Sequence, residues 1–416
     1  YVYNYASQGI YRYNKKMVAM KGFTQNIWGS EIYVRDNRFG RYQSYGSVQI
    51  IGTPTPEALN KEYPVTEEAS RYKEAGWDWN RNPGTTTIHL PLELLNSPFP
   101  GSDMLRQPES FAGASLLNKG EFGMFAMKLG ERDRKNFTPS FHAHKSVFAF
   151  GNRIVALGSA IRNDNREYPT ETTLFQQHML SNSEPLEINE VKAITFPYRT
   201  EIDKTDNKHV VLKNLTGEYY YLPQGQSLII EKKRQESKEN KRMNPTHGNF
   251  ATAYIHHGVA PQNETYEYMI LLDATKSQIK KLKKGITEYE VIRKDEIVHI
   301  VHDRLSDARG YAIFEDFAST EDDYLEKSDK EIMIMMQPMG DKLKMSVCDP
   351  DLHLGEYIYT TPTESNPITR EITLKGKFVL SDAPASVSLL HSVNNTVISV
   401  ICCDGIPVEF TLSMIK

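Results

Sequence analysis

Alternation with period two recurs from one end of this chain to the other, and it limits the fold more than any other feature. Lys16-Met17-Val18-Ala19-Met20-Lys21-Gly22-Phe23, Gly46 to Ile51, Glu121 to Leu129, Phe141 to Phe150, Glu171 to Gln177 and Tyr266 to Leu272 are short runs rich in β-branched and aromatic residues. Successive side chains of an extended strand point to opposite faces, so such runs read as strands. Turn signals separate them, as at Leu215-Thr216-Gly217 and Pro223-Gln224-Gly225. From Tyr289 onward the runs are shorter and evenly spaced, including Val298 to Val301, Ile332 to Met336, Leu343 to Val347, Val397 to Val400 and Val408 to Leu412. This spacing suits a small antiparallel sandwich. No exact repeat and no long amphipathic helix is present. The expectation is an all-β protein divided near residue 285, with one domain over 1–285 and another over 286–416.

Three stretches break the pattern. Residues 52–75, with Pro54, Pro56 and a charged run from Glu67 to Glu74, read as a loop with a short helix. Glu231 to Arg242 reads as a solvated loop or a long ribbon. Lys276 to Lys284 has a short helical pattern that Asp273 or Thr275 could cap.

The 416 residues allow two or three domains and a large core. The formal net charge of −4 excludes a global electrostatic footprint for nucleic acid. A polyanion would have to be met by a local basic site. No apolar run approaches the roughly 20 residues of a membrane span, and no signal peptide pattern is visible. Cys348, Cys402 and Cys403 give neither metal spacing nor a disulfide framework.

Candidate site residues fall in two stretches. Asn26-Ile27-Trp28-Gly29-Ser30-Glu31-Ile32-Tyr33 places one carboxylate among aromatic and apolar neighbours, with Arg35, Arg38 and Arg41 close behind. A carboxylate in such a setting tends to lose solvent and to need a cationic partner. It reads either as a strand-end glutamate paired with a neighbouring arginine or as a functional group. Gly76-Trp77-Asp78-Trp79-Asn80-Arg81-Asn82-Pro83-Gly84 holds two of the three tryptophans two positions apart. If extended, both rings share a face and form a stacking platform, with Asn80 and Arg81 as donors. The alternative is a tryptophan pair packed under a loop. His142 and His144 share a face of one strand, but no third metal ligand can be placed. There is no phosphate loop, no Gly-x-Ser-x-Gly elbow and no zinc spacing.

Several stretches taken together resemble the C-terminal half of polysaccharide lyase family 8, and its chondroitin ABC lyases most. They are Asn26 to Tyr33, Asp36-Asn37-Arg38-Phe39-Gly40-Arg41-Tyr42-Gln43-Ser44, Gly76 to Arg81, Thr86-Thr87-Ile88-His89-Leu90-Pro91-Leu92, Glu171-Thr172-Thr173-Leu174-Phe175-Gln176 and Tyr266-Glu267-Tyr268-Met269. The resemblance implies a large multi-sheet antiparallel β-supersandwich followed by a smaller antiparallel β-sandwich. It also implies β-elimination at the uronic acid of chondroitin or dermatan sulfate, with hyaluronan as an outlying substrate. The family's histidine, tyrosine and arginine lie on an upstream helical toroid that has no counterpart here, so this chain is expected to be a portion of a lyase, inactive alone.

Glu31 matches the family's assisting glutamate, whose implied role is to hold the toroid's arginine and histidine in place. Arg38, Arg41, Trp77, Trp79 and Arg81 are expected on cleft-facing loops and are the expected substrate-binding residues. The chemistry requires no cofactor, and no divalent cation can be assigned. Secretion or periplasmic location follows from the resemblance alone. Two other readings compete: a non-catalytic carbohydrate-binding or structural module, and a mutarotase-type epimerase. The latter needs a histidine–glutamate acid/base pair that the sequence does not supply.

Overall fold

The computed structural model describes residues 1–52, 69–97, 101–319, 324–328, 331–355, 364–391 and 394–415. These residues form antiparallel sheets, and four of the sheets are stacked. A five-stranded sheet contains Thr86–Ile88, Pro169–His178, Leu228–Lys238 and Pro245–Val259. Next to it lies a nine-stranded sheet that includes Phe122–Gly130, His142–Phe150, Arg153–Arg162 and Gln262–Leu271. A seven-stranded and a second five-stranded sheet, both built from residues after 285, complete the stack. A four-stranded sheet of residues 2–51 closes one side of the first core.

The alternation explains the stacking. Along Phe122–Gly130 every residue is buried. Phe125, Met127 and Leu129 enter the first core, while Phe122, Met124 and Ala126 enter the second. Ile154 and Ala156 likewise oppose Val155 and Leu157 on the neighbouring strand. A sheet covered on both faces must be apolar on both. In the seven-stranded sheet Ala312 faces the second core, and Tyr311 and Ile313 face a third between the last two sheets. The parts before and after residue 285 thus share a continuous apolar layer, with Phe111 edge-on to Phe314 at 5.8 Å.

Local departures have physical causes. The run from Thr86 to Leu92 is a strand only to Ile88, and a helical turn, Leu92–Leu95, follows Pro91. Proline cannot donate to a ladder, and its fixed φ suits a helix start. The ribbon reading of Glu231 to Arg242 holds to Lys238, in the strand Leu228–Lys238. Helix Lys276–Leu282 is capped by Thr275, with Gln278 completing a capping box. Of the stretch expected to hold a short helix, Pro54, Pro56 and Glu67 lie outside the described residues; Ala69 and Ser70 are helical and Arg71 to Glu74 are not.

Candidate functional site

Glu31 opens the short strand Glu31–Tyr33, which pairs antiparallel with Ser102–Met104. Ile32 is buried, so period two turns Glu31 outward. Among the described residues its carboxylate has no hydrogen bond or ion pair. The expected loss of solvent and the expected arginine partner are both corrected here. The two-stranded ladder leaves its outer face open, Trp28 beside it is 38% exposed, and Arg38 and Arg41 turn to Asn96 and Glu131.

The backbone under Glu31 is fixed from several directions. Gly29 N–H donates to Leu105 C=O at 2.9 Å, and Leu105 N–H donates to Ser30 C=O at 2.9 Å. Asn37 Nδ2 donates to Glu31 C=O at 2.9 Å. Asn240 Nδ2 donates to Asn37 Oδ1 at 3.0 Å, and Asn240 Oδ1 accepts from Phe39 N–H at 2.7 Å. Ser44 Oγ donates to Gly29 C=O. A Cβ at Gly40 would sit 2.2 Å from Asn37 Nδ2, so a side chain there would undo the link.

The five expected binding residues sit at different depths. Arg38 is half-buried at the rim, with Nη1 3.3 Å from Asn96 Oδ1. Arg41 is 1% exposed. Its Nη2 donates to both Glu131 oxygens at 2.8 Å and its Nη1 to Asn136 C=O at 2.7 Å. Burial opposes its charge, but Glu131 outweighs that and raises the guanidinium pKa. Tyr45 OH and Thr138 N–H also donate to Glu131, at 2.9 and 2.7 Å. Trp77 and Trp79 do not form an open platform: they are 3% and 2% exposed. Their stretch is a series of turns, not a strand. Trp79 stacks on Phe39 with ring centres 5.8 Å apart and donates to Lys238 C=O at 2.9 Å. Trp77 packs against Tyr72 and Phe250.

Arg81 lies beneath a second opening, a cleft of about 500 Å³ lined by Asp78, Asn80, His89 and residues 233–237. It holds Glu171 through Nε and Nη2 at 2.9 and 3.0 Å, and Asp78 through Nη1 at 3.0 Å. Its guanidinium covers the Tyr254 ring at 3.8 Å. His89 Nδ1 is 3.0 Å from Glu171 Oε2. Burial disfavours the imidazolium, yet Asp78 and Glu171 outweigh it and hold the His89 pKa above its ordinary value. Glu171 is held well below the usual carboxylate range: burial opposes this, but Arg81 and the adjacent histidines outweigh it. Two carboxylates thus face a guanidinium and an imidazole whose protonated form they favour.

Glu31, Arg38 and Arg41 share one loop, and Trp79 joins it through Phe39. Arg81 belongs to the separate network. Sequence reasoning singled out neither Glu131 nor the Asp78–His89–Glu171 set. Arg41 and Glu131 are 90 residues apart, and no local pattern links them. His142 and His144 do meet, with Nε2 atoms 3.0 Å apart. Burial pushes His142 down to about 4 and His144 well below the usual histidine range, so both are neutral. Among the described residues no set of three or more His, Cys, Asp or Glu side chains could hold a metal ion. No helix among them is long and apolar enough to cross a membrane.

Residues 2–283 match the family described as polysaccharide lyase family 8, super-sandwich domain. The chain is 37% identical over 418 residues to a chondroitin sulfate ABC endolyase of Proteus vulgaris, covering 99% of this chain and 39% of the relative. It is 34% identical over 421 residues to a chondroitin sulfate ABC exolyase of the same organism, covering 93% and 40%. A solved Paenibacillus xanthan lyase shares the fold, with a TM-score of 0.80 at 18% identity over all of this chain and 37% of that one. The chain spans about two fifths of the curated relatives it matches. With its stacked antiparallel sheets and the family match over most of its length, the chain belongs to polysaccharide lyase family 8.

Proposed function

We propose that this chain is the β-portion of a glycosaminoglycan lyase that cleaves chondroitin or dermatan sulfate by β-elimination at the uronic acid. The observation that carries this reading is Glu31: an outward carboxylate, without a partner among the described residues, on a backbone fixed from behind. The C5 proton of a uronic acid lies α to a carboxylate. Its removal needs a positioned base, an acid for the leaving 4-oxygen, and neutralisation of the charge that develops. Glu31 is a positioning residue in this reading. Its charge receives the arginine and histidine of an upstream helical toroid and keeps them in geometry. Arg38 reaches the substrate from the rim. Arg41, Trp77 and Trp79 support the Glu31 loop from behind, and Arg81 braces the adjoining cleft. The relatives' names support the substrate class. Residues 1–285 and 286–416 form the two domains, and a glycosaminoglycan substrate implies a secreted or periplasmic enzyme.

The test is ultraviolet absorbance of the unsaturated product, with chondroitin sulfate as substrate. The chain joined to its upstream sequence is expected to be active, and the chain alone to be inactive. Glu31→Gln in the joined form is expected to lower kcat by about 10²-fold or more, since a preorganised charge in a water-excluded site is lost. Its urea midpoint should not move, because the side chain is exposed. Full activity of Glu31→Gln would return the chain to the binding-module reading.

A further inference from the structure

The strand that carries Glu31 is short of strand partners. It belongs to a two-stranded sheet of three residues a side, and a pair that small does not hold itself in water. One edge pairs with Ser102–Met104, and among the described residues no strand follows on the other. Glu31 and Tyr33, two positions apart, turn their backbone groups to that second edge. The residue that meets both is Asn37. Its N–H donates to Tyr33 C=O at 2.8 Å, and Tyr33 N–H donates to Asn37 C=O at 3.2 Å. Its side chain takes Glu31 C=O.

An amide side chain has two N–H donors and two lone pairs. Asn37 uses all four. Nδ2 donates to Glu31 C=O at 2.9 Å and to Gln43 Oε1 at 3.3 Å, while Oδ1 accepts from Gln43 Nε2 at 3.3 Å and from Asn240 Nδ2 at 3.0 Å. Gln43 belongs to the same loop and moves with it. Asn240 does not: it is 203 residues away, on the tip that joins strand Leu228–Lys238 to strand Pro245–Val259. That hairpin is ordered on its own account. Its strands pair as far as Lys238 and Pro245, and within the tip Glu239 N–H donates to Asn244 C=O at 2.9 Å and Asn244 Nδ2 to Glu239 Oε2 at 2.9 Å. Asn240 N–H is anchored on Glu74 Oε1 at 2.7 Å, and Asn240 Oδ1 accepts from Phe39 N–H at 2.7 Å. One side chain therefore grips the loop on both sides of Arg38. Lys241 beside it makes only an ion pair with Asp36 at 2.6 Å, between side chains 63% and 55% exposed, and such pairs hold little.

We infer that Asn240 is a positioning residue for the elimination: acting through Asn37 on the backbone of Glu31, it fixes where the Glu31 carboxylate stands. The inference rests on the lyase reading above and adds a residue that neither the family match nor the expected site includes. Asn240 touches neither substrate nor reacting atoms. A carboxylate that must hold an arginine and a histidine of another domain depends on a backbone that does not drift, and a displacement of about 1 Å can cost about 10²-fold in rate.

The test uses the chain joined to its upstream sequence, with chondroitin sulfate as substrate. Asn240→Ala removes both grips and is expected to lower kcat about tenfold or more while KM stays within about twofold. Asn240→Asp keeps the acceptor for Phe39 N–H but sets an oxygen against Asn37 Oδ1, so kcat should fall here too. Lys241→Ala should keep the wild-type kcat and KM. A double-mutant cycle separates positioning from a general loss of structure. In a Glu31→Gln background, Asn240→Ala should cost less than about twofold further, because the carboxylate it positions is already gone. Asn240→Asp carries the cycle if the alanine variant does not fold. An equal factor in both backgrounds would overturn the inference, as would wild-type kcat in Asn240→Ala, and either result would leave the lyase reading standing. No cleavage by the wild-type joined chain would overturn the lyase reading and this inference with it.

Discussion

Arg41 shows how a residue next to a site can serve it without facing it. Its guanidinium is closed by Glu131 and Asn136 and covered by the Phe137 ring at 3.7 Å. Removing one partner of such a buried pair leaves the other charge uncompensated and typically costs about 3–5 kcal/mol. We therefore expect Glu131→Ala to lower the urea unfolding free energy by about that amount. Arg41→Met with Glu131→Leu should lose much less than the sum of the single changes. A loss in the double variant equal to the sum of the two single losses would mean the pair is not the source. Lys145 makes the opposite point. It is fully buried and donates to Gly84 C=O at 2.7 Å and Thr86 Oγ1 at 2.8 Å, and burial pushes its pKa well below the usual lysine value. Burial that disfavours the ammonium leaves little net return from these two hydrogen bonds. Lys145→Met is expected to be close to neutral in stability at pH 7, and a loss as large as that of Glu131→Ala would show that the ammonium is retained.

Among the elements, the Glu31 ladder and the tryptophan turns depend on contacts outside themselves. The turn at Gly76 has φ +86°, and a Cβ there would lie 2.2 Å from Gly248 N on the facing strand. Gly76→Ala must therefore displace the loop, moving Trp77 and, through Trp79, the ring of Phe39. We expect it to destabilise the chain by more than about 1 kcal/mol. It should also reduce kcat of the joined enzyme, although residue 76 touches no expected substrate contact. Wild-type kcat with a lowered Tm would confine the effect to packing. A period-two pattern finds elements like these only when they are long. The strand His142–Phe150 is evident from sequence, whereas Glu31–Tyr33 has three residues and is defined by Ser102–Met104, some 70 positions away.

Over the whole molecule, the doubly covered nine-stranded sheet forces polar side chains into the cores, and several are histidines. Burial is the first cause that pushes His142 down to about 4 and His257 and His299 down to about 3. His299 is set between Ser146 and Ser159 at 2.7 and 2.8 Å, and His257 Nε2 lies 2.8 Å from Thr172 Oγ1. A depressed folded pKa means the unfolded chain binds the proton first. These groups add no penalty above the unfolded histidine value near 6.5, and stability falls as pH drops from there toward about 3–4. The loss should approach roughly 3 kcal/mol per histidine by pH 4, as an upper bound. His89 runs the other way, because its folded pKa is raised. Its contribution is full below about 6.5 and fades as pH rises through the folded value. Urea midpoints between pH 7 and 4 should fall steeply in the wild type and less steeply in His299→Gln. Equal slopes would remove His299 from the cause.

Periodicity by itself determined the all-β class, the order of the main strands and the helix at Lys276–Leu282, because these follow from side-chain direction and local capping. It could not tell a strand covered on one face from one covered on both, since that depends on what stacks against it. The resemblance pointed to Glu31, and only the tertiary structure turned that carboxylate outward and left it open. It also sent Arg41, Trp77 and Trp79 inward. A lone residue type has no direction until a partner distant in sequence arrives. Glu131 reaches Arg41 across 90 residues, and Lys238 reaches Trp79 across 159.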